Sequence, residues 1–255
     1  MNPVDILSFQ LYSLRRYRDL PAQLDLLAGI GYRHVETIMP HYDDAAGTRR
    51  LLDDRGLAAP TGHFSMAALR ERPEWIVAVA HEIGLRQIVM PALPEEERKG
   101  DAGHWRRVGA ELGGIARRLA DSGLTVAYHN HDWELAVLED GRSALEHLFD
   151  GAEGTPLRWQ VDVAWLVRGG GDLDWWIGRH GDRIVSCHVK DMAPEGENVE
   201  EDGWADVGDG VLPWDSFWRA CREAGAEWMV VEHDNPQRFE RFAERSFAAL
   251  RALAA

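Results

Sequence analysis

Short apolar runs alternate with longer amphipathic segments along the chain, with a repeat of roughly thirty residues. Each apolar run has the length of a strand and ends in polar residues, and the segment that follows has the apolar spacing of a helix. The predicted strands are Ile6–Leu11, His34–Glu36, Ala58–His63, Gln87–Met90, Leu124–His129, Arg158–Asp162, Ile184–Val189 and Trp228–Glu232. The predicted helices lie near Leu20–Ile30, Ala45–Arg55, Glu74–Ile83, His104–Ser122, Ala144–Phe149, Leu173–His180, Trp214–Ala224 and Gln237–Ala254. Eight strand–helix units predict an α/β protein with the (β/α)8 TIM-barrel fold.

Glycines mark the points where predicted helices return to strands, at Gly31, Gly56, Gly84, Gly123 and Gly225. Glycine adopts the left-handed conformation that ends a helix, so these returns are short. The loops from strand to helix are longer and polar, and in a β/α barrel they form the active-site face. No linker or further repeat interrupts the pattern, which predicts a single domain over residues 1–255.

A doubly wound open sheet is the alternative architecture. In that fold a Gly-x-Gly-x-x-Gly motif typically follows the first strand. The segment at this place is Ser8–Tyr12, which contains no glycine. The sequence therefore favours the barrel.

The chain is acidic, with 43 Asp and Glu against 28 Lys and Arg among 255 residues, a formal net charge of -15. Such a charge repels phosphate backbones and anionic membranes, so we expect neither nucleic acid nor membrane as a partner. No run approaches the length of a membrane span, and the first residues do not resemble a secretion signal. Cys187 and Cys221 have no metal or disulfide spacing, which fits a reducing, cytoplasmic location. Whether the protein forms a homo-oligomer stays open.

Polar residues end the later predicted strands. His129 and His131 end the fifth strand, Asp162 the sixth, His188 and Lys190 the seventh, and Glu232 and Asp234 the eighth. Because side chains alternate along a strand, each of these pairs shares one face, and that face points into the barrel if Val161 and Val231 pack outward. A single histidine of this kind often caps its own strand. Imidazole and carboxylate groups on four successive strand ends instead favour a site for a divalent cation.

These segments carry a resemblance to a known family. The motifs that carry it are Tyr128-His129-Asn130-His131-Asp132-Trp133-Glu134, Asp162, His188-Val189-Lys190-Asp191-Met192, Val231-Glu232, Gln10-Leu11-Tyr12-Ser13-Leu14, Gly31-Tyr32-Arg33-His34-Val35-Glu36 and Val207-Gly208-Asp209-Gly210. The sequence resembles the sugar phosphate isomerase/epimerase family of xylose isomerase-like TIM barrels. The resemblance runs from the first strand to the eighth, and the motif of the fifth strand is its most specific part.

The resemblance implies one divalent metal ion, with Mn²⁺ favoured and Co²⁺, Mg²⁺ and Zn²⁺ as alternatives. Its ligands would be His129, Asp162, His188 and Glu232. His129 stands where many relatives have glutamate, and Glu36 is the substitute ligand to consider. Trp165 stands where epimerase relatives often have histidine.

The resemblance also implies an enzyme, an isomerase or epimerase that converts a small sugar or polyol through an enediolate. The alternative is a lyase or dehydratase that uses the same metal site on a keto-sugar or keto-inositol. Glu232 would act as a base, with His131, Lys190 or Glu36 as the second proton-transfer group. The predicted substrate contacts are Gln10, Glu36, His63, Glu134 and Trp165. A phosphodiesterase is disfavoured by the acidic charge, and a barrel that binds a ligand without catalysis is the remaining alternative.

Three smaller features refine this picture. Two residues along a strand move a side chain by roughly 6–7 Å, so His131 is expected to transfer protons beside the metal and not to bind it. In Gly208-Asp209-Gly210 the aspartate would repel a phosphate, and beyond Lys190 and Arg168 no basic group lies near the strand ends, so an unphosphorylated substrate is expected. Trp133, Trp165 and Trp204 are placed in strand-to-helix loops, where they stack on a sugar or pack the loops onto the barrel.

Overall fold

Eight parallel strands close into a barrel in the computed structural model, which describes residues 3–253. In chain order the strands are β1 (Leu7–Gln10), β2 (His34–Thr37), β3 (Ala58–His63), β4 (Gln87–Met90), β5 (Thr125–His129), β6 (Arg158–Asp162), β7 (Ile184–Val189), β8 (Asp191–Met192), β9 (Trp204–Ala205) and β10 (Trp228–Val231). Seven of the barrel strands are β1 to β7 and the eighth is β10, which pairs with both β7 and β1. The short strands β8 and β9 pair with each other outside the barrel. The predicted TIM barrel is confirmed.

Helices surround the barrel between successive strands. They are α1 (Leu20–Ile30), α2 (Ala45–Asp53), α3 (Met66–Glu71), α4 (Pro73–Ile83), α5 (Ala102–Ala120), α6 (Ala144–Gly151), α7 (Val163–Arg168), α8 (Leu173–His180), α9 (Trp214–Ala224) and α10 (Phe239–Leu253). Within the described residues, no helix combines the length and the apolar character needed to cross a membrane.

The sequence missed α3 and α7 because both are only six residues long and lie in segments assigned to loops. The helix α7 begins directly after β6, since the carboxylate of Asp162 accepts the backbone N–H of Trp165 at 2.8 Å and caps its first turn. Trp165 therefore lies in a helix and not in the predicted loop. The predicted end of the last helix at Ala254 falls outside the described residues.

The strands turn their apolar residues outward against the helices, as the sequence required. Val161 and Val231 are fully buried in the main hydrophobic core. The neighbouring Gln160, Asp162 and Glu232 are polar and almost fully buried as well. In the β6–β7 register Asp162 lies opposite His188, so the two predicted ligands sit at the same height at the carboxyl ends of adjacent strands.

Candidate metal centre and active site

Four side chains from four neighbouring strand ends meet inside the mouth of the barrel. His129, Asp162, His188 and Glu232 each offer one ligand atom, and these atoms all lie within 4.8 Å of one another. A first-row metal with ligands at about 2.0–2.2 Å has a coordination sphere about 4–4.5 Å across. The predicted donors thus come together at the spacing that one ion needs.

Both histidines direct one ring nitrogen to this centre and the other to a buried partner. Nδ1 of His188 lies 2.9 Å from Oε2 of Glu232, while its Nε2 lies 2.6 Å from Oε1 of Glu36. Nε2 of His129 lies 3.9 Å from Oδ2 of Asp162, while its Nδ1 lies 3.0 Å from Oε1 of Gln160. A metal-binding histidine is typically held in this way, through a hydrogen bond from the nitrogen that does not bind the metal.

The two oxygens of the Asp162 carboxylate have different roles, one in the fold and one at the candidate metal centre. Its Oδ1 caps α7, whereas its Oδ2 is buried without a hydrogen bond from any described residue. Nζ of Lys190 is 3.1 Å away, an ion-pair distance that lacks hydrogen-bond geometry. A buried carboxylate oxygen is rarely left in this state, and here it faces both histidine nitrogens at 3.9 Å. The donors therefore fit a divalent cation.

A polar layer lies beneath these donors and contains Glu36. Its Oε1 accepts a hydrogen bond from Nε2 of Gln10 at 2.7 Å and lies 2.9 Å from Nε2 of His63. Its Oε2 accepts Nε2 of Gln160 at 2.7 Å. Burial favours protonation of Glu36, but the interactions with His63 and His188 outweigh it and hold its pKa well below the usual range. Glu36 and Gln10 thus support the donors from below and do not line the cavity above them.

The ring of His188 lies between two carboxylates, Glu36 and Glu232. Burial lowers the pKa of His188, but these two carboxylates outweigh it and raise the pKa to about 10. Binding of a metal at Nδ1 therefore requires loss of the proton from that nitrogen.

Lys190 is completely buried among acidic groups. Its Nζ lies 2.8 Å from Glu232 and 2.9 Å from Asp234, in addition to Asp162. Burial lowers the pKa of Lys190, but the three carboxylates raise it far above the ordinary value. In this arrangement the amine of Lys190 carries a positive charge.

His131 lies beside the donors without joining them. Its ring stacks on Trp133 with 4.0 Å between centroids, and its centroid is 4.9 Å from that of His129. This separation is shorter than predicted because β5 ends at His129 and the chain leaves the extended path there. Burial, followed by the charge of Lys190, holds the pKa of His131 well below its ordinary value. The imidazole is therefore neutral, and its Nδ1 is buried without a partner among the described residues.

A cavity of about 530 Å³ opens above the centre. The polar side chains that face it include His63, His129, His131, Glu232 and Asp234, and Ile38, Met39 and Pro40 form an apolar wall. The volume is that of a small-molecule site, with a few polar groups set in apolar surroundings.

Glu134 and Trp165 were predicted to contact the substrate, but both side chains contact other groups of the protein. Glu134 accepts the hydroxyl of Tyr128 on one oxygen and the backbone N–H of His131 at 2.9 Å on the other. Burial raises its pKa to about 7. Trp165 packs against the ring of His131 and lies 5.1 Å from Nζ of Lys190. Of the predicted substrate contacts, His63 lines the cavity, whereas Gln10, Glu36, Glu134 and Trp165 contact other protein groups.

Sequence reasoning missed the part played by Asn130. Its Oδ1 accepts the indole N–H of Trp159 at 2.9 Å and the backbone N–H of Asp162 at 3.0 Å, and its Nδ2 donates to the carbonyl of Asp162 at 3.1 Å. The side chain thus joins the ends of β5 and β6 and fixes the height of Asp162. One signal in the sequence could have indicated this role. Asn130 is a polar residue between His129 and His131, at a position that faces outward, where an apolar residue is expected.

The glycine loop after β9 binds a carboxylate of the same chain. The backbone N–H groups of Gly208 and Gly210 donate to Oδ2 of Asp191 at 2.9 and 3.3 Å. A Cβ on Gly210 would lie 2.2 Å from Asp191, so this approach requires glycine. The loop is therefore occupied by a structural contact, in line with the expectation that it does not cradle phosphate.

The fold and the centre define a class of protein, a (β/α)8 barrel with a candidate divalent-metal site at the carboxyl ends of four neighbouring strands. Residues 24–253 match the sequence family described as xylose isomerase-like TIM barrel. The chain belongs to this family.

Several proteins are similar to this chain. It is 23% identical over 242 residues to an inosose dehydratase of Lacticaseibacillus casei, a match that covers 82% of this chain and 80% of the relative. A sugar phosphate isomerase/epimerase from Parabacteroides distasonis has a solved structure that superposes with a TM-score of 0.79 at 20% identity, covering 96% and 93% of the two chains. The IOLI protein, whose structure contains a zinc atom, superposes with a TM-score of 0.75 at 15% identity and covers 97% of both chains.

Proposed function

We propose that the protein is a metal-dependent lyase that dehydrates a small polyhydroxylated ketone, such as a keto-inositol or a keto-sugar. The observation that carries the proposal is the convergence of His129, Asp162, His188 and Glu232 below a small cavity. A similar curated protein is an inosose dehydratase, and that name supports this class of substrate. In the reaction a base takes the proton on the carbon next to the carbonyl. The hydroxyl on the following carbon takes up that proton and leaves as water, and a carbon–carbon double bond forms between the two carbons.

The four donors would hold the metal, which supplies Lewis acidity to polarise the substrate carbonyl. A mixed set of two imidazoles and two carboxylates suits Mn²⁺, Co²⁺ and Zn²⁺. Mn²⁺ is the first ion to test, and Zn²⁺ is the second because the similar IOLI structure contains zinc.

Glu232 is the proposed base. Its contacts with His188 and Lys190 both use Oε2, and the residue lines the cavity, so Oε1 is the oxygen available to a substrate C–H. Burial favours its protonated form, but the charges of Lys190 and His188 outweigh burial and hold its pKa well below the usual range. Glu232 is therefore ionised and able to accept a proton.

Isomerisation is the second candidate, because it needs the same single base. Glu232 would return the proton to the neighbouring carbon on the same face of the substrate. Epimerisation needs a proton donor on the opposite face, and the low pKa of His131 leaves its imidazole neutral and a weak acid. The state of His131 thus favours one-base reactions over epimerisation.

The test is incubation of the Mn²⁺-loaded protein with an inosose and with simple ketoses in deuterated water, followed by NMR. The proposal expects loss of the proton next to the carbonyl together with formation of an unsaturated ketone. A Glu232→Gln variant should lower the exchange rate at least a hundredfold, and Glu223→Gln on the surface of α9 is the matched control. Exchange that continues in Glu232→Gln would remove Glu232 as the base, and a saturated isomer as product would select isomerisation.

A further inference from the structure

The catalytic cavity is lined by two arginines that the strand-end pattern did not reveal. Arg15 follows β1 and Arg98 follows β4, and both border the same cavity as His129, His131 and Glu232. Arg15 is exposed and lies over the ring of Tyr12 at 3.8 Å, whereas Arg98 is half-buried. A half-buried guanidinium beside the reacting groups is the more informative of the two.

Arg98 is fixed in place while much of its guanidinium stays available. Its Nε donates to the carbonyl of Leu93 at 2.8 Å, and its Cζ lies 4.3 Å from the ring centroid of Trp133. No carboxylate of residues 3–253 lies within ion-pair distance of it. The side chain is thus held in position with no partner for its charge.

The acidic residue next to Arg98 is bound elsewhere. Glu97 accepts two hydrogen bonds from Arg70, at 2.7 and 2.8 Å, and Arg70 also pairs with Glu111 at 2.9 Å. Glu97 therefore cannot neutralise Arg98.

A row of neighbouring aromatic rings joins Arg98 to the metal donors. From His129 the next ring is His131 at 4.9 Å, and from there Trp133 follows at 4.0 Å. Nδ1 of His131 and Nε1 of Trp133 are both buried without hydrogen-bond partners among the described residues. The row therefore runs from the metal donors at one end to the positive charge of Arg98 at the other.

We propose that the substrate carries an oxyanion, a carboxylate or a phosphate, which Arg98 binds at the end of the cavity away from the metal donors. A planar guanidinium binds such groups through two parallel hydrogen bonds, which are stronger when partly shielded from water. This inference rests on the proposed function for the location of the reacting end. Its carboxylate form agrees with the expectation of an unphosphorylated substrate, and its phosphate form departs from it.

Binding of three cyclitol probes to the whole Mn²⁺-loaded protein, measured by isothermal titration calorimetry, tests the proposal. Quinate carries a carboxylate, myo-inositol 1-phosphate carries a phosphate, and myo-inositol carries neither. At least one anionic probe should bind ten times more tightly than myo-inositol, and the better of the two identifies the oxyanion. If neither does, the proposal is wrong.

Variants separate Arg98 from the metal as the source of this preference. Arg98→Met keeps an aliphatic chain on Trp133 and should weaken the preferred anionic probe about tenfold or more, with myo-inositol binding unchanged. Arg98→Lys retains the charge without the planar fork, so its affinity for the preferred anionic probe should lie between those of wild type and Arg98→Met. This variant replaces Arg98→Met in the test if the methionine variant does not fold. Lys99→Met is the matched control, because Lys99 is exposed in the same loop and does not line the cavity.

If the affinity of Arg98→Met for the preferred anionic probe is within twofold of the wild-type affinity, the metal or another group binds the anion. That result would overturn the proposal. The readout is affinity and not turnover. Failure of the proposed dehydration would therefore appear as absent deuterium exchange while the preference for anions persists.

Discussion

Oε1 of Glu36 lies 2.6 Å from Nε2 of His188, on the side of the imidazole that faces away from the metal donors. This contact fixes the ring so that Nδ1 points to Glu232 and Asp162. A carboxylate behind a metal-binding histidine orients the ring and increases the basicity of the ligand nitrogen. Glu36, which was expected to contact metal or substrate, thus lies one layer below, where it orients the predicted ligand His188.

Glu36→Gln should therefore weaken metal binding without removing a donor. We expect Mn²⁺ affinity, measured by calorimetry, to fall by about ten- to a hundredfold. Glu146→Gln is the control, because Glu146 is also buried but caps α6, and it should leave the affinity unchanged. Unaltered affinity in Glu36→Gln would mean that His188 does not need this partner.

His131→Asn tests whether His131 moves protons. Glu232 takes the C–H proton in the proposed reaction, and the neutral ring of His131 should accept an O–H proton of the substrate in the same step. We therefore expect unchanged metal content, similar substrate affinity and an exchange rate about a hundredfold lower. The rate of exchange next to the carbonyl is read by NMR in deuterated water. If exchange persists and affinity falls instead, His131 binds a substrate hydroxyl.

Asn130→Ala should destabilise the barrel at the metal site. It leaves the indole N–H of Trp159 and both backbone groups of Asp162 without their partner, at a cost of about 2–4 kcal/mol in the free energy of unfolding. Urea unfolding measures this change. Asn235→Ala removes contacts at the surface and should cost less than about 1 kcal/mol. A loss below about 0.5 kcal/mol in Asn130→Ala would exclude the role assigned to it.

His41 should make stability depend on pH. Burial lowers its pKa from 6.5 to about 4, and its Nδ1 accepts the backbone N–H of Ile38 at 3.2 Å. The unfolded chain binds the proton more tightly, so this contribution is complete above about pH 6.5 and is lost as the pH falls toward 4. Between about pH 7.5 and 5, wild type should lose about 1–2 kcal/mol more than His41→Asn by urea unfolding. Equal losses in the two proteins would contradict this assignment.

The barrel and the convergence of the metal donors could be predicted because both follow from strand periodicity. Leu20–Ile30, Leu173–His180 and Trp214–Ala224 are helices with the predicted bounds. Four barrel strands also have the predicted bounds, and the other four differ by one residue at one or both ends. Alternation along β6 and β7 was sufficient to place Asp162 beside His188, since parallel strands of a barrel end at one rim.

The layer beneath the donors and the far end of the cavity could not be predicted in the same way. Gln160 occupies the same face as Asp162, but its contacts with Glu36 and His129 depend on strands that are distant in sequence. The pKa of Lys190 depends on three carboxylates from two other strand ends. Arg98 lies in an irregular loop, where no periodic pattern indicates the direction of a side chain.

The content of bound manganese in wild type and in a His188 variant tests the central claim most directly. After Mn²⁺ loading and removal of free ion, we expect about one ion per chain in wild type and less than about a tenth in His188→Ala, by elemental analysis. Circular dichroism should show that the barrel of the variant is intact. If the alanine variant unfolds, His188→Gln, which retains a polar partner for Glu36, takes its place in the measurement. His81→Ala, which changes an exposed histidine on α4, should retain the wild-type content. Full manganese content in a folded His188 variant, or none in wild type, would contradict a metal site built on His129, Asp162, His188 and Glu232.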